Sequence, residues 1–190
     1  KEYYYPFESG LMAGTAEVYK HEIPGGQYSN LKPQAISLGL AERMDEIKKA
    51  YEDVNEMFGD IVKVTPSSKV VGDMAMFMVN NKFSKEDIFK KENLSFPESV
   101  KSMFKGDLGQ PFGGWPKELQ KIILRDQKPY TDLPNAHLKP IDFEIEFEEF
   151  QKKFDNYQSF LDFLSWKFYP KVFEEYYNFN KQFGDVTSLP

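Results

Sequence analysis

The stretch VTPSSKVVGDMAMFM, residues 64–78, joins a polar start to an apolar continuation, a combination typical of a buried helix. Thr65 is a natural N-cap residue and Pro66 suits the first helical position, because the first N–H groups of a helix have no partner within it. Apolar residues then recur at helical spacing: Val70, Val71, Met74, Ala75, Phe77 and Met78. The stretch therefore predicts a buried helix that begins with a polar tip, residues 65–69.

The polar tip supports two interpretations. Backbone N–H groups at the start of a helix attract anions and carbonyl oxygens, and Ser67, Ser68 and Lys69 place hydroxyls and an ammonium beside them. The same residues also form an ordinary capping sequence, and the local pattern by itself favours capping without a ligand. Local sequence therefore marks a candidate site here but does not decide between the two.

Helix boundaries recur along the rest of the chain, whereas the alternation typical of strands is scarce, so we predict a mainly α fold. The strongest pattern runs from Leu40 to Phe58, where charges separate the apolar residues and Gly59 provides a stop. Four further helices are indicated by their boundaries: Asn30 to Leu38 after a turn at residues 24–26, a helix opened by Ser84 and Asp87 as a capping box, Pro97 to about Gly106, and one around residues 119–124 after a loop at residues 110–116.

Length and composition predict one soluble domain covering residues 1–190, with a helical core at residues 13–126. Residues 127–140 contain three prolines and little periodicity, so we interpret them as a linker at which a subdomain boundary could lie. Ten of the 18 phenylalanines follow in residues 141–190, the aromatic-rich C-terminal helices. Their spacing favours packing within the chain over a ligand groove and gives two aromatic faces: Phe143, Phe147, Phe150 and Phe154 on one, and Val172, Phe173, Tyr176, Tyr177, Phe179 and Phe183 on the other.

Several classes of function are disfavoured by the composition. The net charge of −6 argues against a nucleic-acid surface, and no apolar run approaches the length of a membrane span. The chain has no cysteine, and its two histidines, His21 and His137, form no metal-ligand pair, so we predict no complete metal site. His21 is interpreted as a structural hydrogen-bonding residue. Neither a phosphate-binding glycine loop nor a serine triad is indicated.

The longer run GDIVKVTPSSKVVGD, residues 59–73, closely resembles the carboxyltransferase domain of the biotin-dependent pyruvate carboxylases. Four other segments resemble the same family in the same order: YYPFESGL at 4–11, HEIPGGQYSNL at 21–31, LSFPESV at 94–100 and KGDLGQP at 105–111. Ordered motifs over about two thirds of the chain are more specific than any single motif. After residue 140 the resemblance is reduced to YPKVF at 169–173 and a Phe183-Gly184 ending.

In the family that this chain resembles, helices that follow a (β/α)8 barrel form a funnel over the barrel mouth. The resemblance implies that this chain is the multi-helix funnel, that residues 1–12 are the trailing edge of the barrel, and that the barrel itself is absent from the chain. It also implies roles within the polar tip. Thr65 would shuttle a proton between the methyl group of pyruvate and the biotin ureido nitrogen as CO2 moves to give oxaloacetate, and Ser68 and Lys69 would hydrogen-bond the biotin.

The resemblance also implies cofactors and partners. Biotin would be carried on another domain, and the divalent metal, a carboxylated lysine and the arginine clamp on pyruvate would lie in the barrel. The expected partners are the barrel, the biotin carboxyl carrier domain, pyruvate or oxaloacetate, and further copies in a tetramer, with neither nucleic acid nor membrane. Because the chain starts at Lys1, we expect it to be an excised piece of this ligase. The resemblance implies that this piece is inactive by itself. It also implies that the enzyme is located in the cytoplasm, or in the mitochondrial matrix of a eukaryote.

Two alternatives stay open at this point. Subunits of oxaloacetate decarboxylase and transcarboxylase share the architecture, although Lys69 and the segments at 96–100 and 106–111 look more like pyruvate carboxylase. From a different class, the chain could be a non-catalytic helical assembly module. Its polar tip would then be only a cap, and its aromatic faces would mediate association.

Overall fold

The computed structural model describes residues 18–184 together with Tyr3 and Ala16, so the barrel edge expected at residues 1–12 lies outside the described residues apart from Tyr3. In this described part the regular structure is helical and contains no strand, which confirms the prediction of a mainly α fold. The chain divides into two compact units, Lys1–His137 and Leu138–Pro190. The division falls within the linker expected at residues 127–140, and the assignment of domains stays a prediction.

The first unit is built around two central helices that pack on each other. Its α-helices are α1 (Val18–His21), α2 (Gly25–Ser37), α3 (Met44–Met57), α4 (Ser67–Asn81), α5 (Lys85–Lys90), α6 (Glu98–Lys105) and α7 (Lys117–Leu124). Short 3-10 turns lie at Ala41–Arg43 and Pro134–His137. α4 contacts α2, α3 and α6, and α6 in turn contacts α7, so α4 is surrounded by neighbours.

The contact between α3 and α4 forms the middle of the first core. Both helices contribute fully buried side chains at helical spacing: Ile47, Tyr51 and Val54 from α3, and Val71, Met74 and Ala75 from α4. Tyr51 also donates its hydroxyl hydrogen to the backbone oxygen of Ser68 at 3.2 Å. Burial raises the pKa of Tyr51, so the phenol stays protonated as a donor. α3 therefore holds the first turn of α4 by a hydrogen bond as well as by packing.

Several predicted helix boundaries are confirmed. α3 ends at Met57 and is followed by Gly59 at φ +89°, and α6 is followed by Gly106 at φ +106°, both values that favour glycine. Ser84 and Asp87 make both hydrogen bonds of a capping box at the start of α5. These boundaries depend on residues adjacent in sequence, which is why they can be recognised without a structure.

The predicted start of α2 was wrong. The helix begins at Gly25 with Pro24 as its N-cap, so the Pro-Gly-Gly sequence is the first turn of the helix and Asn30 lies inside it. Tyr28 N already donates to Pro24 O at 2.9 Å, which is a helical hydrogen bond. The physical reason is tertiary, because the helix buries Leu31 and Ala35 completely in the first core. Burial of one face outweighs the low helix propensity of glycine.

The second unit is a small aromatic core formed by α8 (Phe143–Lys153), α9 (Phe160–Phe168) and α10 (Pro170–Phe183). Its buried residues are Phe150, Phe154, Phe163, Phe173 and Tyr177, with rings in contact at 4.9–5.8 Å between centroids. Four predicted aromatic positions thus pack within the chain. Other members of the predicted faces, including Val172 and Phe183, are exposed. The sequence pattern did not single out α9, although Ser159 caps it by accepting from Asp162 N at 3.1 Å.

Candidate functional site

The polar tip lies at the start of α4, after an irregular segment at residues 61–64. The prediction that Thr65 is the N-cap was wrong, because α4 begins at Ser67 and its N-cap is Pro66. Lys69 N and Val70 N both donate to Pro66 O, at 3.1 and 3.2 Å, so this carbonyl accepts the first bonds of the helix. The Thr65–Pro66 peptide bond is cis. Thr65 therefore precedes the helix.

Ser67 uses its hydroxyl to hold the segment that leads to the helix. Its Oγ lies 2.6 Å from both Val62 O and Val64 O and accepts a hydrogen bond from Val64 N at 3.1 Å. The hydroxyl hydrogen and an acceptor lone pair are thus engaged by the backbone. No side chain caps the start of α4, and among the hydroxyls of the polar tip the one of Ser67 instead holds the segment before the helix.

Thr65 is exposed, and its side chain forms no hydrogen bond with another described residue. The backbone N–H groups of Thr65 and Ser67 likewise have no acceptor among the described residues. A threonine hydroxyl donates and accepts, and the start of α4 carries the positive end of the helix dipole. The tip therefore offers open donors and one exposed hydroxyl to a ligand with partial negative charge.

Ser68 and Lys69 occupy different environments from Thr65. Ser68 is only 4% exposed, since it lies on the face of α4 that α3 covers. Lys69 is on the surface, and its Nζ donates to Asp73 Oδ2 at 2.7 Å, one turn further along α4. Asp73 also accepts from Ser99 Oγ at 2.7 Å. The structure thus places the Lys69 ammonium beside Asp73, a partner that the i, i+4 spacing of the sequence could have revealed.

An apolar cavity of about 540 Å³ opens beside the polar tip. Its wall includes Pro66 and Ser67 from the tip, and otherwise Val62, Val64, Leu108, Pro111, Phe112 and Trp115 among others. Trp115 is buried and stacks on Phe104 at 4.3 Å between ring centroids. Sequence reasoning treated residues 110–116 only as a loop, and the aromatic residues within that loop were the available signal for a wall of a cavity.

The structure also bears on the predictions made for His21, for a metal site and for a membrane span. His21 lies at the end of α1, and its Nδ1 is buried without a hydrogen-bond partner among the described residues, so a structural hydrogen bond at this atom is not observed. Within residues 18–184, no three His, Cys, Asp or Glu side chains are grouped so that they could hold a metal. In the same range, no helix has both the length and the apolar character needed to cross a membrane.

Solved structures give the class of this protein. The chain matches the carboxyl transferase domain from Rhizobium etli pyruvate carboxylase with pyruvate and biocytin, with a TM-score of 0.86 and 51% identity over 97% of this chain and 31% of that one. Its fold is therefore that of the helical part of a carboxyl transferase domain. Residues 18–190 match the family described as the conserved carboxylase domain, and the chain belongs to that family. The resemblance predicted from the motifs is confirmed.

Curated relatives agree with this assignment. The chain is 49% identical over 190 residues to pyruvate carboxylase of Bacillus subtilis and 43% identical over 193 residues to pyruvate carboxylase 1 of Caenorhabditis elegans. Each alignment covers 100% of this chain but only 17% and 16% of the respective relative. The chain thus spans a small part of the length of the relatives that it matches.

Proposed function

We propose that this chain forms the helical funnel of a pyruvate carboxylase and contributes to the transfer of CO2 from carboxybiotin to pyruvate, which gives oxaloacetate. The observation that carries the proposal is the TM-score of 0.86 to a carboxyl transferase domain solved with pyruvate and biocytin. The relatives named above are pyruvate carboxylases, which favours this reaction over that of a decarboxylase or transcarboxylase subunit. Similarity to enzymes over the full chain also disfavours a purely structural assembly module.

The catalytic role proposed for Thr65 is proton transfer. Biotin, when bound, supplies the carboxyl group that is transferred. Thr65 Oγ1 accepts a proton from the methyl group of pyruvate while its own hydrogen passes to the ureido nitrogen, so the residue is a relay that needs no shifted pKa. Support comes from its exposure and from the absence of a competing partner for its side chain among the described residues.

Ser68 and Lys69 are proposed to bind the biotin. Both belong to the first turn of α4, where the helix dipole and a positive side chain stabilise negative charge on the ureido oxygen. Ser68 is only 4% exposed on the face that α3 covers, so its hydroxyl reaches biotin only if this face opens, and Lys69 must leave Asp73 to reach a ligand. That exchange is feasible because a partly exposed ion pair is worth only about 0–1 kcal/mol.

The proposal extends to cofactors and partners outside this chain. Biotin is carried on a separate carrier domain, and a divalent metal lies in the barrel that the funnel covers. The partners are this barrel, the carrier domain, pyruvate or oxaloacetate, and further copies in a tetramer. The location is the cytoplasm, or the mitochondrial matrix in a eukaryote. The isolated chain is expected to be inactive because the pyruvate site belongs to the barrel.

The test uses the full-length enzyme with Thr65→Ala and Thr65→Ser. Oxaloacetate formation and ATP-dependent biotin carboxylation are measured in the same preparation. We expect Thr65→Ala to lower oxaloacetate formation by about 100-fold or more with biotin carboxylation unchanged, because general acid–base groups contribute about 10²–10⁴-fold. Thr65→Ser keeps the hydroxyl and should retain most of the activity.

Thr131→Ala is the matched control, because Thr131 is an exposed threonine outside the polar tip. It should leave both reactions unchanged. Near wild-type oxaloacetate formation by Thr65→Ala would remove Thr65 from the reaction. Loss of both half-reactions in Thr65→Ala would indicate damage to the fold rather than loss of a proton relay.

A further inference from the structure

A buried amide joins two carboxylates beneath the segment that leads to Thr65. Asn55, in the last turn of α3, is 3% exposed, and its Nδ2 donates to Glu22 Oε2 at 3.4 Å and to Asp60 Oδ1 at 3.3 Å. Glu22 also accepts a hydrogen bond from Lys63 Nζ, with which it forms an ion pair. We call these four residues, Glu22, Asn55, Asp60 and Lys63, the Asn55 cluster. It links α1, α3 and the approach to α4.

The backbone conformation at two members of the cluster is unusual. Glu22 has φ +56° and Asp60 has φ +54°, and positive φ is uncommon for residues other than glycine. Such conformations persist where surrounding contacts determine them. Here both carboxylates meet the same amide, and Asp60 N also donates to Asn55 O at 3.0 Å. The cluster therefore holds two otherwise unfavourable backbone conformations in place.

Polar contacts, rather than packing, fix most of the segment at residues 61–64. Ile61 is buried, but Val62 and Val64 are 79% and 64% exposed and so contribute little burial. The segment is held at one end by the Ser67 hydroxyl and at Lys63 by the ion pair with Glu22. Lys63 lies two residues before Thr65, so the position of Lys63 restricts where the Thr65 hydroxyl can lie.

We infer that Glu22 is a positioning residue, which fixes the segment carrying Thr65 through its bonds to Lys63 and Asn55. The inference rests on the proposed function for its catalytic consequence. Proton transfer requires the relay atom to be within hydrogen-bond reach of both partners, and a displacement of about 1 Å can cost about 100-fold in rate. Loosening the segment should therefore slow the chemical step without removing a group that touches the substrate.

The catalytic test compares Glu22→Gln, Lys63→Met and the double variant in the full-length enzyme. Each single variant should lower kcat for oxaloacetate formation by about tenfold, with the KM for pyruvate and biotin carboxylation little changed. The kcat of the double variant should be no lower than the kcat of either single variant, because the two residues act through one contact. In an enzyme that already carries Thr65→Ala, the additional substitution Glu22→Gln should likewise cause no further decrease in kcat. Additive losses in either double variant would overturn the inference.

A structural measurement separates this inference from the proposed function. Amide hydrogen exchange of Val64, whose N–H donates to Ser67 Oγ, should accelerate in Glu22→Gln but not in Glu98→Gln, whose exposed ion pair with Lys101 lies on α6. Unchanged exchange in Glu22→Gln would overturn the positioning role even if Thr65→Ala abolishes oxaloacetate formation. Faster exchange with a fully active Thr65→Ala enzyme would support the anchoring of the segment and refute the role of Thr65.

Discussion

Two hydroxyls in the polar tip differ in what remains available to a ligand. The Ser67 hydroxyl is engaged by the backbone at Val62 and Val64, whereas the Thr65 hydroxyl is exposed and has no partner among the residues that the structure describes. The structure therefore contains no side-chain cap at the start of α4, and the Ser67 hydroxyl instead fixes the segment that leads to the helix. A proton relay must have a free donor and acceptor, which favours Thr65 over Ser67.

Asp155 provides a pH-dependent prediction in the second unit. It accepts a hydrogen bond from the Tyr177 hydroxyl at 2.7 Å, and this bond, followed by a backbone hydrogen bond, lowers the pKa of Asp155. A lowered carboxyl pKa stabilises the folded state above the unfolded-state pKa, and this contribution is lost as the pH falls through the folded-state pKa. Tyr177→Phe should therefore raise the pKa of Asp155 and reduce the loss of stability on acidification.

The measurement is a carboxyl carbon NMR titration of Asp155, together with unfolding midpoints between about pH 5 and pH 2, the range around the usual carboxyl pKa. Tyr176→Phe is the matched control, because Tyr176 is a neighbouring tyrosine whose hydroxyl does not bond Asp155. An Asp155 titration that is identical in wild type and Tyr177→Phe would contradict the assigned cause.

Substitution by alanine should change the stability in opposite directions at two glycines, one at the start of α2 and one at the end of α6. Gly25 opens α2 with open space around its Cα, so Gly25→Ala should stabilise the first unit by about 0.4–1 kcal/mol. Gly106 ends α6 at φ +106°, and an added Cβ would lie 2.5 Å from Gln110 Nε2. Gly106→Ala should therefore destabilise the unit by about 1–3 kcal/mol.

Urea unfolding of both variants, compared with wild type, checks this pair. Each substitution is the control for the other, since both remove the same chain flexibility from the unfolded state. Destabilisation by Gly25→Ala would contradict a helical start at this residue and would restore the turn that the local sequence predicted.

The two compact units each have a hydrophobic core of their own. Phe163 is fully buried in the second core, and truncation of a buried phenylalanine costs about 3–5 kcal/mol. Phe163→Ala should therefore accelerate amide exchange throughout α8, α9 and α10 while leaving α3 and α4 protected. Phe160→Ala, on the same helix but 47% exposed, is the control and should have a much smaller effect. Equal acceleration in α4 would show that the units open together.

The sequence by itself determined the helical class, the existence of helices α3 and α4, the ends at Gly59 and Gly106, and the capping box of α5. It also carried ordered motifs that identified the family. These features depend on hydrophobic periodicity, on backbone conformations that favour glycine, and on hydrogen bonds between residues three or four apart. All of these are encoded within a few neighbouring residues, so a single sequence reveals them.

Only the tertiary structure decided the start of α2, the burial of Ser68 and the difference in hydrogen bonding between Thr65 and Ser67. It also revealed the Asn55 cluster, in which Glu22 meets Asn55 and Lys63 across 33 and 41 residues of sequence. Contacts over such separations depend on how helices pack, and burial then outweighs local propensity, as it does at the glycines of α2. Local pattern could therefore locate the polar tip, but folding determined which of its hydroxyls is free.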